Sequence, residues 1–396
     1  MREMLPPIAF DRPPVTTAKG LPRRTALACA LTLPWLARAV QAQEAAPSWR
    51  LGQTIDLSGP LADLGRAIHH GARACFEAVN AKGGVDGKPL ELIAKDDAYD
   101  LKRSEPLADE LLADRSLLAL FGCFGTPMVE SLLPKAEKAG VPVFAPYSGA
   151  LSVRRGNPRS VVHVRASYAD EVGRIIEHLA TIGTRRIVVA HQANSFGKEV
   201  ADAAAVSLEA HKFKALGVAS VKNDASDAEA AASQLMAKEP EAVLVGLAGK
   251  PALAFIKAAK AHRKGVRVYA LSVMGAAATV QGLGPDGVGV AVSQVVPLPT
   301  QTVTPIVRDF HAAWKALGTD LPASHTALEG YINARVFVEA LKAAGRGAGR
   351  TSLMDALWRL RRLDLGGMDL RFAEPGQSAS RYVELTIIGR DGRFVR

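Results

Sequence analysis

The sequence predicts an α/β protein made of two doubly wound lobes. Three observations carry that reading. Short apolar runs rich in Val, Leu and Phe alternate with segments of helical period, as in repeated βαβ units. The runs are continuously apolar rather than alternating, which suits parallel strands covered by helices on both faces. Many end in small or hydroxyl-bearing residues, and open α/β sheets bind ligands at that carboxyl edge. The clearest pair is Leu118-Ala-Leu-Phe-Gly-Cys-Phe-Gly-Thr-Pro127 and Val141-Pro-Val-Phe-Ala-Pro-Tyr-Ser-Gly-Ala150. The helical segment Met128–Lys138 lies between them, so their tips, Gly125-Thr126 and Ser148-Gly149, are expected side by side as two walls of one small-molecule pocket.

In chain order, Trp49–Asp56 reads as a first strand, and Leu57–Gly65, broken at Gly59-Pro60, as the loop leaving it. A helix runs through Gly71–Val79 and ends at Asn80-Ala-Lys-Gly-Gly84. Pro89–Lys95 is a second strand closed by Asp96-Asp97, and Leu101–Ala113 a helix. The second lobe begins after His163–Asp170 with a helix, Asp170–Ile182, then a strand, Arg186–His191, the loop Gln192–Gly197 and a helix, Lys198–His211. Strands Ala215–Val221, Ala242–Gly246 and Val266–Ala270 alternate with helices Asp227–Lys238 and Pro251–Arg263. Gly282-Leu-Gly-Pro-Asp-Gly287 spells a dinucleotide fingerprint, but Pro285-Asp286 interrupts it and it enters a strand, Val288–Val296. It is therefore read as a turn. Pro297-Leu-Pro299 looks like a crossing between lobes. Helices Pro305–Leu317, Ala327–Leu341 and Ser352–Arg361 and a closing hairpin, Tyr382–Ile388 with Arg393–Arg396, follow. Helices and then a hairpin after the second lobe require more than one crossing.

Residues 1–42 read as an export leader. Arg23-Arg24 precedes the apolar run Thr25–Leu36, and Val40-Gln-Ala42 offers a cleavage site. The paired arginines suggest the twin-arginine route, although Ala26 departs from that motif, and a Sec route stays open. The run is too short for a membrane span of about 20 residues. The chain carries a net charge of +10, but the leader holds six Lys and Arg against two Asp and Glu, which brings the remainder close to +6. Its charges are interspersed along helices, the pattern of solvated faces rather than of nucleic-acid binding. Cys75 and Cys123 are left beyond the leader, and either a bridge or simple burial is compatible with the sequence.

The chain resembles the type I periplasmic solute-binding proteins of ABC importers, in particular the branched-chain amino-acid-binding family. The resemblance covers nearly all of the chain beyond the leader. It rests on Ile55-Asp-Leu-Ser-Gly-Pro60, Asn80-Ala-Lys-Gly-Gly-Val-Asp-Gly87, Asp96-Asp97, Gly122–Pro127, Gly140–Pro146, Ser195-Phe-Gly197 and Leu328-Glu-Gly-Tyr-Ile332. It implies two lobes joined by three hinge strands, with boundaries expected at 43–165 plus 298–364 and 166–297 plus 365–396. A monomer in the periplasm, a small-molecule ligand, delivery to a membrane permease and no cofactor are implied as well.

Residue by residue, the resemblance places the ligand carboxylate on Gly125 and Thr126, with Tyr147, Ser148 and Gly149 from the next tip and Leu64 over the ligand. Phe196 is expected to cap the site from the second lobe and Tyr331 from the late helix; Tyr168 is added for its position at the lobe junction. Two departures stand out. Leu247-Ala248 replaces an aromatic, and no acid stands near Ser272-Val273, where the family pairs a carboxylate with the ligand's α-ammonium. A buried ammonium without a counter-charge is costly, so a carboxylate or amide ligand without an ammonium fits better than a free branched-chain amino acid. The tip residues also have plainer readings, Ser148 as a helix cap and Phe196 and Tyr331 as core aromatics. An enzyme is disfavoured, since no Gly-x-Ser-x-Gly elbow, His-Glu-x-x-His helix or P-loop occurs. A ligand-sensing receptor component remains the alternative to an importer.

Overall fold

The computed structural model describes residues 47–396 except 157, so the export leader expected at 1–42 lies outside the described residues. β1 (Trp49–Ile55) is almost wholly buried and leads into α1 (Ala62–Asn80). The helix starts inside the loop expected to run to Gly65. The cause is local: the Asp56 carboxylate accepts the N–H groups of Gly59 (2.5 Å) and Leu61 (2.8 Å), tightening the turn. β2 (Leu90–Asp96), α2 (Leu101–Ala113), β3 (Leu117–Phe121), α3 (Thr126–Lys138) and the two-residue strands β4 (Val143–Phe144) and β5 (Val161–Val162) complete the first sheet. Its order is β2-β1-β3-β4-β5, all parallel. Every residue of β3 is buried, as its unbroken Leu and Phe run requires of a strand covered on both faces.

A second sheet is wound the same way. α4 (Tyr168–Thr181) opens it, held by a reciprocal capping box between Ser167 and Asp170. Then come β6 (Ile187–Gln192), α5 (Ser195–Ala210), β7 (Gly217–Val221), α6 (Ala228–Met236), β8 (Ala242–Gly246), α7 (Gly249–His262), β9 (Arg267–Ala270), α8 (Ala277–Leu283) and β10 (Ala291–Gln294). α8 was not expected from the sequence, and Gly284–Gly287 is a single 3-10 turn between it and β10. Edge strand β7 alternates buried and exposed residues, whereas β8 is buried throughout.

After β10 the chain returns to the first sheet. α9 (Pro305–Leu317) and α10 (His325–Ala344) pack on α1, and α11 (Arg350–Leu360) packs on α10. A small antiparallel pair, β11 (Arg362–Asp364) and β12 (Asp369–Arg371), follows. The chain then goes back to add β13 (Glu384–Ile388) and β14 (Phe394–Val395), which gives the second sheet the order β14-β13-β10-β9-β8-β6-β7. β13 runs antiparallel to β10, as a strand returning from outside the βαβ series can. Three passages therefore join the two sheets. The first and third run side by side: Ala379 and Ser380 donate their N–H groups to the carbonyls of His163 (2.8 Å) and Val164 (2.9 Å). Cys75 and Cys123 are both buried and unbridged.

Candidate functional site

The carboxyl ends of the parallel strands in both sheets face one another across a narrow cleft. A small cavity of about 20 Å³ lies there, lined from the first sheet by Leu61, Leu64, Tyr99, Phe124, Gly125, Thr126 and Tyr147. The first turns of α4 and α5 add Tyr168 and Phe196, and Ala248 and Val273 complete the far wall. That volume holds little more than a water molecule, so the cleft is shut. Several contacts across it show why. Lys250 N–H reaches the Pro60 carbonyl (3.3 Å), Thr279 donates to Asp63 (2.6 Å) and Asn194 donates to the Tyr99 hydroxyl (3.2 Å). Glu199 on α5 accepts the N–H groups of Leu151 (3.0 Å) and Ser152 (3.1 Å).

The polar end of the cavity is built by the tips of β3 and β4. Gly125 holds φ 90°, a left-handed conformation that glycine adopts readily, and a Cβ there would lie 2.8 Å from the Tyr99 ring. This sharp turn starts α3, whose first turn carries Thr126 and a partial positive charge. The Thr126 hydroxyl is 2.8 Å from that of Ser148, which also accepts the Ala150 N–H (3.2 Å). The rest of the lining is aromatic. Phe124 stacks on Tyr147 at 5.1 Å, and Tyr168 meets Phe196 edge-on at 5.1 Å. Gly149 lies behind Tyr168, where a Cβ would come within 2.5 Å of the ring.

Behind this wall is a buried charge network that the sequence reading did not find. The Arg165 guanidinium lies over the Tyr147 ring at 4.8 Å and donates to Glu171 (3.1 Å) and Ser272 (2.6 Å). Glu171 in turn accepts the Ser272 N–H (2.8 Å) and the Ser293 hydroxyl (2.7 Å). Glu329 on α10 is 3.6 Å from Arg165, too far for a hydrogen bond, and its carboxylate oxygen Oε1 has no partner among the described residues. Burial pushes the Glu329 carboxyl up to about 7, with Arg165 opposing the shift. Burial likewise raises the Tyr147 phenol, whose hydroxyl has no partner among the described residues.

Of the residues singled out from the sequence, Leu64, Gly125, Thr126, Tyr147, Tyr168 and Phe196 line this cavity. Ser148 and Gly149 form the layer behind it. Ser272 sits outside the lining, held by Arg165 and Glu171, and its neighbour Val273 faces the cavity instead. Tyr331 is also outside: its ring packs on Phe310 at 5.6 Å, between α9 and α10. Leu61, Tyr99, Phe124, Ala248 and Val273 were not singled out as site residues. Tyr99 follows Asp96-Asp97 at the end of β2, so the strand-end rule applied to Thr126 reaches it too. No Asp or Glu belongs to the lining among the described residues.

Comparison with known proteins agrees with this architecture. Residues 48–393 match the family model described as "Periplasmic binding protein". A curated relative, "Leu/Ile/Val-binding protein homolog 7" of Brucella abortus, is 25% identical over 314 residues, 74% of this chain and 76% of its own length. A solved substrate-binding periplasmic protein from Ralstonia solanacearum is 30% identical, with a TM-score of 0.82 over 87% of this chain and 99% of that one. A possible leucine/isoleucine/valine-binding protein from Rhodopirellula baltica is 28% identical, with a TM-score of 0.82 over 89% and 97%. With one parallel and one largely parallel sheet closing on a cleft at their strand ends, the chain belongs to the periplasmic binding protein family.

Proposed function

We propose that this protein captures a small carboxylate or amide that lacks an ammonium group and delivers it to the permease of an ABC importer. The observation that carries the reading is the cleft lining: hydroxyls and a helix N-terminus at one end, aromatic and aliphatic side chains elsewhere, and no carboxylate among the described residues. Thr126, backed by Ser148, and the first turn of α3 would receive the ligand's oxygen atoms, while Phe124, Tyr168 and Phe196 would enclose its apolar body. The carboxylate that touches Ser272, at the family's ammonium position, is Glu171, which is already paired with Arg165 and spent on Ser272 and Ser293. Two lobes, 43–165 with 298–364 and 166–297 with 365–396, would open about the three passages to admit the ligand. It would then favour the shut form through contacts to both. Residues 1–42 would direct export to the periplasm and be removed.

A thermal-shift screen of the protein from Gln43 onward tests this reading. A ligand that binds only the folded state adds about 2.7 kcal/mol of stability at a hundredfold excess over Kd. Aliphatic or aromatic carboxylates and amides should raise the melting temperature, and leucine, isoleucine and valine should not. Stabilisation confined to the three amino acids would overturn the ammonium argument.

A further inference from the structure

Arg154 ends the loop that carries Ser148 and Gly149, and it does not belong to the cavity lining. The residue is only 5% exposed. Its Nη1 donates to the carbonyls of Ser148 (3.2 Å) and Ala150 (2.6 Å), its Nη2 faces the Arg165 carbonyl at 3.5 Å, and its Nε has no partner among the described residues. All of these acceptors are neutral. Asp170 and Glu199 are the carboxylates that act on it, and both lie beyond ion-pair reach: Asp170 accepts from Ser167, and Glu199 accepts from Leu151 and Ser152. Arg165, by contrast, is paired with Glu171 at 3.1 Å. Burial, with Arg165 adding to it, lowers the Arg154 guanidinium to about 10, so it stays charged at neutral pH. A buried cation without an ionic partner is costly, and a neutral donor could hold the same carbonyls without that cost. Its place suggests why the charge is there. Ser148, whose carbonyl it holds, stands hydroxyl to hydroxyl with Thr126 at 2.8 Å, so a single residue separates the guanidinium from the polar end of the cavity.

We infer that Arg154 sets the charge preference of the cleft: without touching the ligand, it makes the Thr126–Ser148 end select an anionic carboxylate over the neutral amide of the same shape. This rests on the reading of the cleft as a site for ammonium-free carboxylates and amides, and narrows it to carboxylates. The bound carboxylate is the counter-charge that the guanidinium lacks within the protein. The start of α3 adds a partial positive charge at the same end, and no Asp or Glu belongs to the lining among the described residues. The shut cleft holds almost no water, so the field of a charge one layer behind the wall is weakly screened. At an effective dielectric constant of about 20, such a charge changes the affinity for an anion by about tenfold or more. The loop carbonyls give Arg154 a positioning role as well, which acts on acid and amide alike; the charge acts on the acid alone.

Calorimetry with matched acids and amides, 4-methylpentanoate against 4-methylpentanamide and benzoate against benzamide, tests the inference on the protein from Gln43 onward at neutral pH. The wild type should bind the acid of a matched set more tightly than its amide. Arg154→Gln, which keeps a donor and removes the charge, should lower the acid-to-amide affinity ratio by about tenfold, and Arg154→Lys, which keeps the charge, should restore most of it. A wild type without preference for the acid, equal weakening of acid and amide in Arg154→Gln, or a ratio as low in Arg154→Lys as in Arg154→Gln would each overturn the inference while leaving the cleft as a site for such ligands. Binding of none of the four probes to the wild type would overturn that reading and the inference with it. Glu199→Gln decides the matter if Arg154→Gln does not fold. It keeps an acceptor for Leu151 and Ser152 and removes a carboxylate that offsets Arg154, so the ratio should rise several-fold; an unchanged ratio would overturn the inference.

Discussion

Replacing Glu329 by Gln should change how stability depends on pH. The carboxyl is buried beside Arg165, whose hydrogen bonds go to Glu171 and Ser272, so burial dominates and raises its titration from 4.5 to about 7. The folded state thus holds the proton more tightly than the unfolded chain. The stability linked to that proton is fully present below pH 4.5 and is lost as pH rises through about 7. A shift of this size corresponds to about 3 kcal/mol. Gln resembles the protonated acid and cannot ionise, so the variant should gain on the wild type by that amount between about pH 4.5 and about pH 8. Asp97, which burial raises to about 6, and His69, which burial lowers to about 4, titrate in both proteins and cancel in the difference. Urea unfolding of the pair across this range measures it. A constant difference, or a wild type that gains on the variant with rising pH, refutes the reasoning.

Three further outcomes follow from the cleft. Thr126→Ala should weaken binding of the proper ligand by about 1 to 3 kcal/mol, the scale of a hydrogen bond to a charged group; unchanged affinity by calorimetry in a folded variant removes Thr126 from the site. Gly149→Ala places a methyl 2.5 Å from the Tyr168 ring and 2.8 Å from its backbone nitrogen, so melting should show a loss of about 1 to 3 kcal/mol. A melting temperature equal to the wild type's would mean that Tyr168 moves aside freely. Glu199→Ala deletes the acceptor for Leu151 and Ser152 and should shift the ligand-free protein toward an open form by about 1 to 2 kcal/mol. Small-angle scattering would record a larger radius of gyration, and an unchanged profile would show that Glu199 does not hold the cleft shut.

The sheets were legible largely because strands such as β3 and β8 spell unbroken apolar runs. β3 and β8 could be located to within a residue or two on that ground. β5 and the β11–β12 pair could not, because so short a strand leaves no periodicity to read; β4 is as short, but the helix before it and the longer Val141–Ala150 run around it marked its place. α8 was hidden for another reason: Ala277–Leu283 follows Gly275 and ends at Gly284, so glycines at both ends gave it the composition of a loop. Within the site, residues on the strand ends Gly125-Thr126 and Tyr147 were accessible to sequence reasoning because the topology alone puts them together. The Arg165–Glu171–Glu329 network was not, since its members come from a passage, α4 and α10, and only tertiary packing unites them. The same packing gives Tyr331 a place in the helical core, which its sequence context shares equally with a role at the cleft.

The return of the chain to both sheets has a consequence for how the molecule is made. A nascent chain that has emerged only as far as β10 lacks α10, so the face of α1 that will carry it is bare. It also lacks β13, so one edge of the second sheet has no partner. Bare apolar helix faces and unpaired strand edges are the surfaces on which unfinished chains associate. Neither half can therefore mature on the ribosome ahead of the other, and both are sealed only when the final hundred or so residues arrive. Synthesis of this protein should thus depend on chaperone protection until its last strand is free, and deletion of β13 and β14 should cost solubility in the whole chain rather than trimming its end.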